Sequence, residues 1–152
     1  MRYVAFQSFF PKLAEEETRF FRILNDPEIP PDTYYLEEAY CRDLNCDCRR
    51  VLFFVFSESD ARMVAAVSYG WESGKFYAKM PSRSFSDLNN SKGPLLDESF
   101  PQSEFAAVIL DILKSDVLTD KKYVKRLKRH YRMLRSAVAE EEFAKNGSPV
   151  SH

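Results

Sequence analysis

Val51-Leu52-Phe53-Phe54-Val55-Phe56 is apolar at every position, the pattern of a strand covered on both faces of a sheet. Upstream, Thr33 to Tyr40 alternates, with Tyr34, Leu36 and Tyr40 on one face and Tyr35, Glu37, Ala39 and Cys41 on the other. Between these segments lies Cys41-Arg42-Asp43-Leu44-Asn45-Cys46-Asp47-Cys48-Arg49-Arg50, which holds all three cysteines of the chain, spaced C-x4-C-x-C. Two strands joined by so short a loop pair antiparallel. The cysteines are therefore expected at a hairpin end, where three thiols can converge on one metal ion.

Working outward, Pro11 to Glu17 suits a short helical turn, and Thr18 to Leu24 reads as a strand stopped by Asn25-Asp26-Pro27. Downstream, Arg62 to Tyr69 reads as another strand, and Gly70 to Gly74 as a turn. Lys75 to Met80 reads as an edge strand whose lysines face solvent. Residues 81–101 are rich in Ser, Asn, Gly and Pro and read as a loop. Ser103 can cap a helix from Glu104 to Lys114, where Phe105, Val108, Ile109, Ile112 and Leu113 make an apolar stripe. Thr119 can cap a last helix running to about Ala144, ended by Asn146-Gly147. The expected architecture is α+β: an antiparallel sheet of four to five strands with two C-terminal helices packed on one face. Residues 1–145 are expected to form a single zinc-binding domain and 146–152 a flexible tail.

The chain of 152 residues is long enough to bury its own core, and 13 Phe and 8 Tyr suggest that large rings fill much of it. A net charge of −1 exerts no global pull toward nucleic acid or membrane. No apolar run reaches the length of a membrane span, so no membrane association is expected. No secretion signal is visible at Met1 to Gln7, and an odd number of clustered cysteines does not suit a disulfide framework. The expected location is the cytoplasm.

In the last helix, Tyr123, Leu127, Tyr131, Leu134 and Val138 define one apolar face, and His130 falls beside it. A histidine on the buried side of a basic helix needs a partner. His130 is accordingly the expected fourth ligand of a three-cysteine, one-histidine zinc site with Cys41, Cys46 and Cys48. Asp43, Asp47 or a water could fill that position instead. Three thiolates and a neutral imidazole on Zn²⁺ leave one negative charge, which Arg42, Arg49 and Arg50 are placed to offset. An iron–sulfur cluster would ordinarily need four cysteines. Buried free cysteines also occur as small hydrophobes, and stripe histidines as satisfied core residues. The polar character of this loop argues against simple burial.

The string Tyr40-Cys41, four residues, then Cys46-Asp47-Cys48-Arg49-Arg50-Val51 resembles a motif of uncharacterised bacterial proteins. Glu17-Thr18-Arg19 and the Pro-rich turn before Tyr34-Tyr35-Leu36-Glu37 are similar to the same group. Cys46-Asp47-Cys48 also resembles the SEC-C zinc motif, although the closing Cys-Cys or Cys-His pair of that motif is missing here. The resemblance implies metal binding and no particular reaction.

Catalysis has little support, because no phosphate loop, nucleophile elbow or H-E-x-x-H is present. A thiol-based or zinc-dependent enzyme stays open as an alternative, with Glu37 and Glu38 near the loop and arginines beside Cys46 and Cys48. A second alternative is a nucleic-acid-binding module using Lys121, Lys122, Lys125, Lys128, Arg129 and Arg132, with Tyr123 and Tyr131 interleaved. A protein partner is equally open.

Overall fold

A computed structural model describes residues 2–81 and 90–146. The apolar run is its centre: β4 (Arg50–Ser57) pairs antiparallel with β3 (Asp32–Cys41) on one side and β5 (Met63–Gly70) on the other. Two shorter strands share the outer edge of β3 end to end. β1 (Tyr3–Ala5) meets Ala39–Cys41, and β2 (Arg19–Ile23) meets Asp32–Leu36. α1 (Phe6–Phe9) and α2 (Pro11–Glu17) fill the connection between them. β6 (Leu95–Leu96) adds to β5, and among the described residues the sheet has six strands.

The α+β architecture is as expected, but the sheet has six strands rather than four or five. β1 and β6 are three and two residues long, too short to display a period. The expected edge strand Lys75–Met80 is instead α3 (Gly74–Ala78), capped by Ser73, whose Oγ accepts from the Phe76 backbone N–H at 3.2 Å. Strand alternation would have sent Tyr77 outward with the lysines. The helical turn buries it, laying its ring against Gly70, where an added Cβ would come within 2.2 Å of the ring.

The register sorts side chains into two layers. Leu36, Tyr40, Val51, Phe53, Val55 and Val67 face α4 (Ala106–Ile112, continued by a wider turn over Leu113–Val117) and α5 (Lys121–Asn146) in the main core. Both C-terminal helices thus cover the same face. Ala39, Leu52 and Ala66 point the other way, under Tyr3, Phe54 and Phe100. β4 is therefore buried on both sides, which is why its run lacks a polar face.

Two expected caps differ. Ser103 lends its carbonyl to the Ala106 N–H, and its Oγ is buried without a partner among the described residues. At α5 the cap is Asp120, whose Oδ1 accepts from the backbone N–H of Lys122 (3.0 Å) and Tyr123 (3.3 Å), while Thr119 turns back to the Ser115 carbonyl. Aspartate here also places negative charge at the positive end of the helix. Part of the expected loop (82–89) and the tail from 147 onward lie outside the described residues; residue 146 still belongs to α5. No helix among the described residues is long and apolar enough to cross a membrane.

Candidate metal centre

Cys41 is the last residue of β3, Arg50 the first of β4, and the eight residues between them form the cysteine loop. The loop folds on itself through Asp43, whose Oδ1 accepts from Asn45 N–H (3.0 Å) and whose carbonyl accepts from Cys46 N–H (3.0 Å). Asp residues favour such turns because the short carboxylate reaches the backbone two residues on. Arg49 adopts φ +47°, a left-handed kink that brings the chain back into β4.

Those turns drive the cysteines inward. Their three sulfurs lie within 4.8 Å of one another, and Cys41 and Cys48 are fully buried with Cys46 nearly so. In a tetrahedral zinc site with Zn–S near 2.3 Å, sulfurs stand roughly 3.8 Å apart. Small side-chain movements would therefore close these three on one ion. Tyr3 and Met80 pack over them. A hydrogen bond from Cys48 brings the Cys46 thiol down to about 6 against opposing burial, and lowers Cys41 in the same way. The neighbouring sulfurs of Cys41 and Cys46, together with burial, push the Cys48 thiol up and keep it protonated. Two of the thiols are thus shifted toward the thiolate, the form that binds metal.

The loop is held from α5, but not by the residue expected. Tyr131 Oη donates to Asp47 Oδ1 (3.0 Å) and accepts from Arg49 N–H (3.2 Å). One turn later, Arg135 Nη1 donates to the carbonyls of Cys41 (3.3 Å) and Asp43 (3.2 Å). The helix does dock on the cysteine loop, through Tyr131 and Arg135.

His130 requires a correction. Its Nδ1 lies 2.7 Å from Glu38 Oε1 and its Nε2 lies 2.7 Å from Glu17 Oε1, with the ring stacked on Phe6 at 4.0 Å. Among the described residues the converging ligand atoms belong to the three cysteines alone, without His130. An imidazole with both nitrogens engaged has no lone pair left for a metal. Asp47 is committed as well, its Oδ2 accepting from Arg49 Nη2 (2.8 Å) opposite the Tyr131 contact. Glu38 is buried on the core face and also accepts from Tyr40 Oη at 2.5 Å. A cavity of about 10 Å³, the size of one water, opens beside this cluster between Gln7, Thr18 and Glu37.

No family model, curated protein or solved structure matches the chain. Geometry alone therefore carries what can be said of the site.

The basic residues of α5 divide into two groups. Arg129 pairs with Glu17 at 2.5 Å, and Arg126 donates to the Glu17 carbonyl. Lys121, Lys122, Lys125 and Arg132 are exposed and Lys128 half-buried, and none has an ion-pair partner among the described residues. Sequence reasoning missed Tyr131, Arg135, Glu17 and Glu38 as structural anchors. Glu38 did carry a signal: it stands in phase with Leu36 and Tyr40 on the core side of β3.

Proposed function

We propose that this is a small metal-binding protein in which Cys41, Cys46 and Cys48 hold one Zn²⁺ ion that locks the β3–β4 loop under α5. The observation that carries this reading is the convergence of three buried sulfurs within 4.8 Å inside a polar loop. Apolar packing alone would not gather every thiol of the chain at one point. The likeness of Cys46-Asp47-Cys48 to a zinc motif points the same way. With His130 and Asp47 committed elsewhere, and Asp43 turned onto the Asn45 N–H, the fourth position belongs to a water or another small ligand. The coordination is then three thiolates plus one exchangeable group.

Metal analysis of untagged protein, read together with free thiols, tests the proposal. About one zinc per chain is expected, and Cys48→Ser should lower metal content and melting temperature together, because metal binding and folding are linked. Full stability in a strong chelator, with no metal found beforehand, would end the reading.

A second reading has its own observation. Lys121, Lys125, Lys128 and Arg132 recur at spacings of four, three and four, one stripe along α5 without ion-pair partners among the described residues. A line of unpaired cations on one helix suits a phosphate backbone.

A further inference from the structure

Three arginines flank the cysteines in sequence, and the structure separates them. Arg42 is bound to Glu141 at 2.8 Å, and Arg49 to Asp47 at 2.8 Å and Glu72 at 3.5 Å. Arg50 is different. It is 0% exposed, yet no carboxylate among the described residues meets it. Its Nε donates to Ser68 Oγ (3.0 Å), its Nη2 to the Ser91 carbonyl (2.7 Å), and its guanidinium lies over the Tyr77 ring at 5.0 Å. Nη1 is buried with no partner among the described residues. Neutral acceptors satisfy hydrogen bonds but leave the charge itself uncompensated, and a buried cation without a counter-charge is among the costliest features a fold can carry.

The counter-charge that the described residues lack has a position in the strand register. Ala39 pairs with Leu52 as the last step between β3 and β4, and antiparallel geometry carried two residues further sets Cys41 across from Arg50. Arg50 pairs in turn with Gly70, and Cys41 with Tyr3. One row across four strands thus reads Tyr3, Cys41, Arg50, Gly70, with all its side chains on the same face. The buried cation therefore falls in the strand row of Cys41 and of Tyr3, whose ring packs over the three sulfurs.

We propose that Arg50 is the built-in counter-cation of a metal tristhiolate, selecting an ion whose three-sulfur complex carries one negative charge. The proposal rests on the metal reading above. Its charge balance is explicit: a divalent ion displaces three thiol protons and leaves a complex of charge −1, which Arg50 neutralises. Arsenite, As(OH)₃, condenses with three thiols to a neutral As(SR)₃ and three waters, and needs no counter-cation. Arg50 thereby sets the preference for a divalent soft ion over a trivalent one.

The test compares Zn²⁺ and arsenite binding to the full chain, wild type against Arg50→Met and Arg50→Lys, by competition with a chromophoric chelator for zinc and by thiol protection for arsenite. Arg50→Met should weaken zinc about tenfold or more while leaving arsenite within about threefold. Arg50→Lys, which keeps the charge, should recover most of the zinc affinity. Equal losses for both ions would assign Arg50 a merely structural role and overturn the proposal, as would unchanged zinc affinity in Arg50→Met. Should Arg50→Met fail to fold, Arg50→Lys decides alone: zinc affinity within about threefold of wild type supports the proposal, and a roughly tenfold loss overturns it. A wild-type chain that takes up arsenite but no zinc also overturns it. A wild-type chain that takes up neither ion refutes the metal reading itself, an outcome distinct from these.

Discussion

Replacing His130 with alanine separates the histidine's place in the structure from the ligand role its sequence context suggests. The ring is 1% exposed and bridges Glu38 on β3 and Glu17 at the end of α2, each at 2.7 Å. Each ring nitrogen faces a carboxylate oxygen, so alanine removes a hydrogen-bonding partner from both acids. Hydrogen bonds to charged groups contribute about 1.5–3 kcal/mol each, and leaving a buried ion without its partner costs about 3–5 kcal/mol. Compensation is uneven. Glu17 keeps Arg129 and has a side chain 26% exposed, so water can replace the imidazole there. Glu38 is 5% exposed on its side chain and keeps only Tyr40 among the described residues. A net loss of about 3–5 kcal/mol is expected, most of it from Glu38. In a chain of this size that lowers the melting temperature by roughly 10 °C. Bound zinc should stay at one per chain, because the ring does not reach the sulfurs. The assay is a thermal melt alongside metal analysis of the same sample. A His130→Ala protein that loses its metal while its metal-free form melts where the wild-type metal-free form does would refute this account and restore His130 as a ligand.

Other expectations follow from the same contacts. Reversing the α5 stripe, with Lys121, Lys125, Lys128 and Arg132 changed to Glu, should leave the melting temperature nearly unchanged; if the stripe binds RNA or DNA, affinity measured by fluorescence anisotropy should vanish and wild-type binding should fall steeply with salt. No wild-type binding at low salt would leave the stripe an ordinary solvated face. Glu17 is raised by burial but lowered further by hydrogen bonds from His130 and Arg129, and Asp120 is lowered by Arg19 and by the N–H of Tyr123. Carboxylates lowered in the folded state contribute stability that is complete above their unfolded values near ~4 and is lost as pH falls through the folded ones. Melting temperature should hold from pH ~7 to about 5 and drop below about 4, and Glu17→Gln should flatten that drop; an equally steep fall in the variant would show that the acid sensitivity lies elsewhere. Asp120→Ala removes the α5 cap and should lower the melting temperature by about 2–4 °C, with an unchanged melt assigning the cap no stabilising role.

What the sequence disclosed, and what it withheld, divides by the range of the interactions. The central strand is an unbroken apolar run, and the alternation of β3 and the stripe of α5 repeat over six residues or more; both are local properties. Tyr123, Leu127, Tyr131, Leu134 and Val138 are indeed all buried. The α3 segment escapes because five residues hold barely more than one helical turn, and the strand pattern in Lys75–Met80 is an accident of composition that the Ser73 cap and the burial of Tyr77 override. Sequence does mark His130 as a buried histidine in need of partners. It points to the wrong ones because the cysteines are conspicuous, whereas Glu17 and Glu38 lie 113 and 92 residues away and look like surface carboxylates. Chain order offers no means to tell which buried polar group meets which; only the register of β3 and the docking angle of α5 decide it. The same limit applies to the arginines. Arg42, Arg49 and Arg50 are equivalent as neighbours of a cysteine loop, and they differ only because strand alternation turns Arg50 into the sheet's second layer while Glu141, Asp47 and Glu72 meet the other two. A cation that the fold buries beside three thiols, with one nitrogen left unpartnered among the described residues, is an arrangement that neutral thiols would not stabilise. It would become stabilising once the sulfurs carry charge, and a metal ion, if the cysteines hold one, would keep all three of them charged together.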